Sequence, residues 1–203
     1  MEVKSSPRRT QAQRTATTRA CLLSAARELF ATRGFADVST QQIVEAAGVT
    51  RGALYHQFAD KADLFTAVYE QVEEQLVADV GAGIAAREPA GPSAAMRVGA
   101  RLFLECCSAP EVQQIVLVDA PTVLGWDRWR EMGVKYGLGV IEGMLAAAVA
   151  EGEIPATPLR PTAHVLLGAL DEAALYVSRA ADPERALEEM YEVCDRIIAG
   201  IAG

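Results

Sequence analysis

The sequence predicts an all-α protein, and three observations carry that expectation. Apolar residues recur every three or four positions rather than alternating, which is the period of a buried helical stripe. Alanine, leucine, glutamate and arginine, the best helix formers, dominate the composition. Each periodic stretch is closed by Gly, Pro or a Ser/Thr/Asp cap, the punctuation of helix ends. With 203 residues and 51% of them hydrophobic, the chain has ample material for a small helical domain joined to a larger one.

Residues 1–17 are rich in Ser, Thr, Gln and Arg and show no apolar period, so a flexible basic arm is expected there. Arg8, Arg9 and Arg14 would either reach phosphates or belong to a solvated tail. From Thr18 to Arg33 the stripe Leu22, Ala25, Ala26, Leu29, Phe30 marks a helix stopped by Gly34, with Phe35 and Val38 as core plugs. Ser39 or Thr40 caps a short helix with Ile43, Val44 and Ala47 facing in. Gly48 ends it, because a tight turn between helices needs a positive φ. Thr50 then caps a helix to about Gln57 that buries Ala53 and Leu54. Two short helices joined by such a turn describe a helix-turn-helix, whose second helix enters a DNA major groove. That use explains a polar, slim segment, "TRGALYHQF", where a core helix would carry larger apolar residues. Gly52 admits the backbone close to DNA, and Thr50, Arg51, Tyr55 and His56 lie outward. Asp60 caps the next helix, with Lys61 in its first turn placed to meet a phosphate.

Residues 61–79 continue as one helix with Phe65, Val68, Val72 and Leu76 on a stripe, and "GAGIAAREPAGPS" (81–93) is expected to be a loop. Helices follow over 93–107 and 110–119, then Pro121 and Gly125 interrupt before a long helix to about Glu151. Two further helices span roughly 161–181 and 183–199. Their stripes are Leu166, Ala169, Leu170, Ala173 and Val177, then Leu187, Met190, Tyr191, Cys194 and Ile198. Such a hairpin either closes the chain's own core or pairs with a second copy into a four-helix bundle.

The net charge of −8 is unevenly placed. Residues 1–60 carry eight Lys/Arg and five Asp/Glu (+3), and residues 61–203 carry eleven and twenty-two (−11), so a basic head sits on an acidic body. Cys21, Cys106, Cys107 and Cys194 lack zinc or disulfide-framework spacing. No apolar run of the sequence reads as a membrane span, and no secretory leader is apparent, so cytoplasm is the default. Two distant histidines and no metal cluster, nucleophile elbow or nucleotide fingerprint argue against an enzyme; no catalytic residue, metal or cofactor is assigned.

Residues 18–69, through "AARELFATRGF", "VSTQQIVEAAGVTRGALYHQF" and "DKADLFTAVYE", resemble the N-terminal domain of the tetracycline-repressor (TetR) family of bacterial transcriptional regulators. The resemblance implies a three-helix DNA-binding domain (18–63) and a larger helical domain (64–203) for ligand binding and dimerisation. It implies a homodimer on a palindromic operator in double-stranded DNA, released by a small-molecule effector, with repression the usual sign and no membrane partner. Thr40, Thr50, Arg51, Gly52, Tyr55, His56 and Lys61 would then contact bases or phosphates. It also favours the dimer reading of the two terminal stripes. Phe103, Cys107, Asp119, Trp126, Trp129, Leu167 and Asp171 are candidate effector contacts, and Tyr136, Met144, His164 and Tyr176 are further inserts of the same region. The aromatic residues among them are equally core material, and the carboxylates would meet a cationic effector only if buried.

Overall fold

The computed structural model describes residues 11–202, and all of its regular structure is helical among those residues. The first ten residues of the expected arm, Arg8 and Arg9 included, lie outside the described residues. Contacts divide the chain after Val68 into a head and a body.

In the head, α1 (Gln11–Arg33), α2 (Thr40–Ala47), α3 (Arg51–Gln57) and the start of α4 (Lys61–Arg87) enclose one core. Leu22, Ala26, Phe30, Ile43, Leu54, Leu64, Phe65 and Val68 are fully buried in it. The Phe30, Phe35 and Phe65 rings pack mutually with centroids 5.2–5.7 Å apart, an aromatic arrangement that adds geometry to area burial. Helix α1 begins at Gln11, seven residues before the expected start. Its first turns are polar and exposed nearly all round, and periodicity reports only a helix that has a core to face.

The body holds the rest of α4 with α5 (Pro92–Cys107), α6 (Pro110–Val112), α7 (Ala120–Val123), α8 (Trp126–Gly133), α9 (Gly139–Ala150), α10 (Leu159–Arg179) and α11 (Pro183–Ala202). Two π-helical stretches, Gln113–Asp119 and Val134–Leu138, join α6 to α7 and α8 to α9. Pro121 does not break the chain's helical course. It sits in the first turn of α7, where a missing N–H costs little, and Gly125 at φ 81° makes the actual stop. The expected loop over 81–93 is helix up to Arg87 and again from Pro92, and Gly83 within it serves close approach rather than a turn. A Cβ at Gly83 would stand 2.8 Å from Leu102 Cδ1, and one at Gly99 would stand 3.1 Å from Ile84 Cδ1, so these positions let α4 and α5 pack tightly. Met96, Ala100, Leu145, Ala148, Ala163, Leu166 and Ile198 form the main core of α5, α9, α10 and α11.

The helical run Trp126–Ala150, 25 residues at mean hydropathy 1.3, is long and apolar enough by length and composition to cross a membrane. The sequence reading found no such run. Trp129, Leu138, Leu145 and Ala148 on it are buried in the body core.

Candidate functional site

The turn between α2 and α3 is built by local chemistry. Ser39, rather than Thr40, is the N-cap of α2: its hydroxyl accepts from Gln42 N while Gln42 Oε1 accepts from Ser39 N at 2.8 Å, a reciprocal capping box. Gly48 takes the left-handed conformation (φ 64°) and its N–H donates to the Val44 and Glu45 carbonyls. Thr50 Oγ1 accepts from Ala53 N at 3.2 Å and starts α3. Leu54 alone anchors α3 in the core, which leaves Arg51, Gly52, Tyr55 and His56 exposed. Arg51 lies over the Tyr55 ring at 5.6 Å. Hydrogen bonding from Arg51 and Thr40 holds the Tyr55 phenol below its ordinary pKa. Thr40, Arg51 and Tyr55 therefore form one polar cluster across the starts of α2 and α3.

Lys61 has a second partner set. Its ammonium donates to the carbonyls of Phe35 and Val38, both at 2.8 Å, and rests 4.0 Å from the Phe35 ring centroid. It ties the start of α4 to the connection between α1 and α2, so its expected phosphate contact competes with an internal one. Arg19 plays a matching part beside Phe58, 4.4 Å from the ring centroid.

In the body, α4, α5, α8, α9, α10, α11 and both π-helical stretches surround a cavity of about 140 Å³. Its wall is mainly apolar, with Leu76, Met96, Phe103, Trp129, Met144 and Leu166 contributing large surfaces. Val116, Leu117 and Gly137 enter from the π-helical stretches, a backbone form frequent at functional sites. Trp129 is fixed by its indole N–H, which donates to Val116 O at 3.0 Å. At the polar end stand Tyr69 and Glu73 from α4, Cys107 from α5 and Asp171 from α10. Asp171 is paired with Arg130, and the pair fits because Gly133 and Gly168 lie beside the two side chains. Burial pushes the Asp171 carboxyl up to about 6 against the pull of Arg130, and pushes Glu73 up to about 7.

A helix-turn-helix head and a cavity-bearing helical body also describe the proteins this chain matches. Residues 22–68 match the model of bacterial regulatory proteins of the tetR family, and residues 93–201 match the tetracyclin repressor-like C-terminal domain. The chain belongs to the TetR family. It is a helix-turn-helix transcriptional regulator, as are the family members it resembles. The HTH-type transcriptional repressor BepR of Brucella suis biovar 1 is 30% identical over 178 residues, which is 80% of each chain. The HTH-type transcriptional regulator AcrR of Shigella flexneri is 38% identical over 80 residues, 39% of this chain; the match spans only 37% of that relative's length. A TetR-family regulator from Pectobacterium atrosepticum superposes with a TM-score of 0.81 at 31% identity, covering 95% of this chain and 97% of that one.

Within this TetR-family body the expected effector residues divide. Phe103, Cys107, Trp129, Leu167 and Asp171 line the cavity, as does Met144. Trp126 and Asp119 do not. Trp126 is 59% exposed, lying on the outer side of Trp129 with centroids 4.9 Å apart. Asp119 follows the wall residues Val116 and Leu117 without joining the wall. Tyr136 is no part of the wall, and His164 and Tyr176 face solvent. The terminal stripes expected to pair with a second copy face inward within the single chain. Leu166, Ala169, Leu170, Cys194 and Ile198 line the cavity, and Ala173 and Val177 are buried. Leu187 and Met190 are half-buried, and Tyr191 lies under Arg101 of α5 at 4.3 Å. The stripe is the inward face because it meets α5 and α9 of its own chain. The large apolar residues left outside on α10 and α11 are Val165, Tyr176, Val193 and Ile197, from 41% to 69% exposed. Sequence reasoning missed Tyr69 and Glu73. Their signal was a glutamate one helical position beyond Val72, on the stripe of a helix otherwise buried there.

Proposed function

We propose that this regulator represses by binding a palindromic operator as a homodimer, and that a small molecule in the body cavity releases it. The observation that carries the reading is the exposed cluster on α2 and α3. Thr50, Arg51, Tyr55 and His56 are exposed beside a half-buried Thr40, and a Cβ at Gly52 would meet nothing closer than Thr50 Oγ1 at 4.0 Å. Nothing inside the head asks for glycine, whereas a backbone approaching DNA does. In this reading Arg51 and Thr50 meet bases or nearby phosphates, and Tyr55 and His56 hold the DNA backbone. Lys61 orients α4 through its carbonyl bonds, and a phosphate that reaches it competes with them. The outward residues Val165, Tyr176, Val193 and Ile197 pair with those of a second copy, which sets two recognition helices about 34–36 Å apart. No catalytic residue or cofactor enters the reading, and the protein works with the DNA in the bacterial cytoplasm.

Fluorescence anisotropy with labelled DNA from the intergenic region beside the gene tests this. The wild-type protein should bind with an affinity that falls steeply with salt, roughly 0.9 log units per log unit of salt for each phosphate neutralised. Arg51→Ala should weaken or redirect binding. Unchanged affinity and sequence preference in Arg51→Ala would remove α3 as the reading element.

A further inference from the structure

Two polar groups on α4 face the cavity without a proper partner. The Tyr69 hydroxyl is fully buried and closes no hydrogen bond. Glu73, one helical turn further on and only 7% exposed, has no lysine, arginine or histidine at ion-pairing distance among the described residues. The two lie near enough for the phenol to favour the carboxylate, although the phenolic oxygen does not reach good bonding geometry. Across the cavity, Asp171 already holds the guanidinium of Arg130. Of the two carboxylates only Asp171 has a cation, and the Glu73 carboxyl sits against the apolar wall of a partly open cavity. A buried carboxylate without a partner is among the costliest arrangements a fold can keep. Aromatic faces that attract cations, Phe103 and Trp129, line the same space.

We infer, resting on the effector reading above, that the cavity takes an organic monocation with an apolar or aromatic body. Its positive group is held by the Glu73 carboxylate and the Tyr69 hydroxyl, and its body lies against Phe103, Trp129 and Met144. A neutral ligand would leave the charge deficit in place, and an anion would deepen it. The titratable groups facing Glu73 are Tyr69 on its own helix, Cys107 from α5, Cys194 from α11, and Asp171 with Arg130 from α10 and α8. Burial keeps both thiols protonated at neutral pH, and at Cys107 the Glu73 and Asp171 carboxylates add to it. The cation therefore competes with a proton on Glu73, whose carboxyl stands near 7. Affinity should rise about tenfold from pH 6 to pH 8, with Asp171 adding in the same direction.

The test is calorimetric and fluorescence titration of the full chain, with Trp129 as the internal reporter, using phenylbutylamine, phenylbutanol and phenylbutyrate as probes. At pH 8 the amine should bind at least tenfold more tightly than the alcohol, and the acid more weakly than both. Glu73→Gln should erase the preference for the amine while still binding the alcohol, and Tyr69→Phe should reduce it several-fold. Equal affinity for amine and alcohol, preference retained in Glu73→Gln, or no binding of the amine would each overturn the inference. DNA release is scored separately. An amine that binds through Glu73 but leaves DNA bound supports the subsite and contradicts the effector reading; release by a neutral ligand alone does the reverse.

Discussion

Glu73→Gln keeps the shape of the side chain and removes its charge, so its effect on stability follows from the cavity's electrostatics. In the folded chain the carboxyl is raised from 4.5 to about 7, chiefly by burial. The folded state therefore holds a proton that the unfolded chain gives up. The wild-type protein is most stable, as far as this group goes, below pH 4.5 and loses that contribution as pH rises through about 7. At about 1.4 kcal/mol per pH unit, the full loss amounts to about 3 kcal/mol above neutrality. The glutamine variant escapes it. Its advantage should be small at pH 5 and grow to as much as about 3 kcal/mol at pH 8, a rise of roughly 6–12 °C in the melting temperature of a chain this size. Thermal melts followed by circular dichroism at pH 5, 6, 7 and 8 measure this. A variant less stable than wild type at pH 8, or a difference that does not change with pH, would refute the reasoning. It would mean that Glu73 is partnered or hydrated in solution.

Lys61→Met should destabilise the head by about 1–3 kcal/mol, because two buried-side carbonyls lose a charged donor; chemical denaturation measures it, and a purely DNA-binding lysine would show no such loss. Ser39→Ala should cost about 1 kcal/mol by removing the capping box of α2, read in the same experiment. Ile197→Asp should give a folded monomer by analytical ultracentrifugation, whereas Ile198→Asp, one residue on, should unfold the body because that side chain is only 6% exposed. Dimers in Ile197→Asp would place the pairing surface elsewhere.

The head was legible almost residue by residue because its signals are local. Gly48, Thr50 and the Leu54 anchor each act within one turn of helix, and their roles follow from backbone chemistry. Lys61 was not fully legible: its partners lie 26 and 23 residues earlier, and spacing along a helix cannot show them. In the body, the period of α10 and α11 showed that each has an apolar face but not what that face meets. The same stripe serves a core or a second copy, and only the three-dimensional arrangement shows its contact with α5 and α9. Gly83 escapes the sequence for a related reason, since a glycine that ends a helix and one that admits a neighbouring helix look alike there. Glu73 was hidden because a carboxylate is expected in water, and only burial on every side shows otherwise.

The proposed function requires two copies of the α2–α3 face to grip one duplex. Nuclease protection on the intergenic DNA, followed by titration of the protected duplex and of its isolated half, measures this directly. Two protected patches centred about one helical turn apart, paired protein chains per duplex and much weaker binding to the half-site are the expected result. A single patch held by one chain, or equal affinity for the whole and the half, would contradict it.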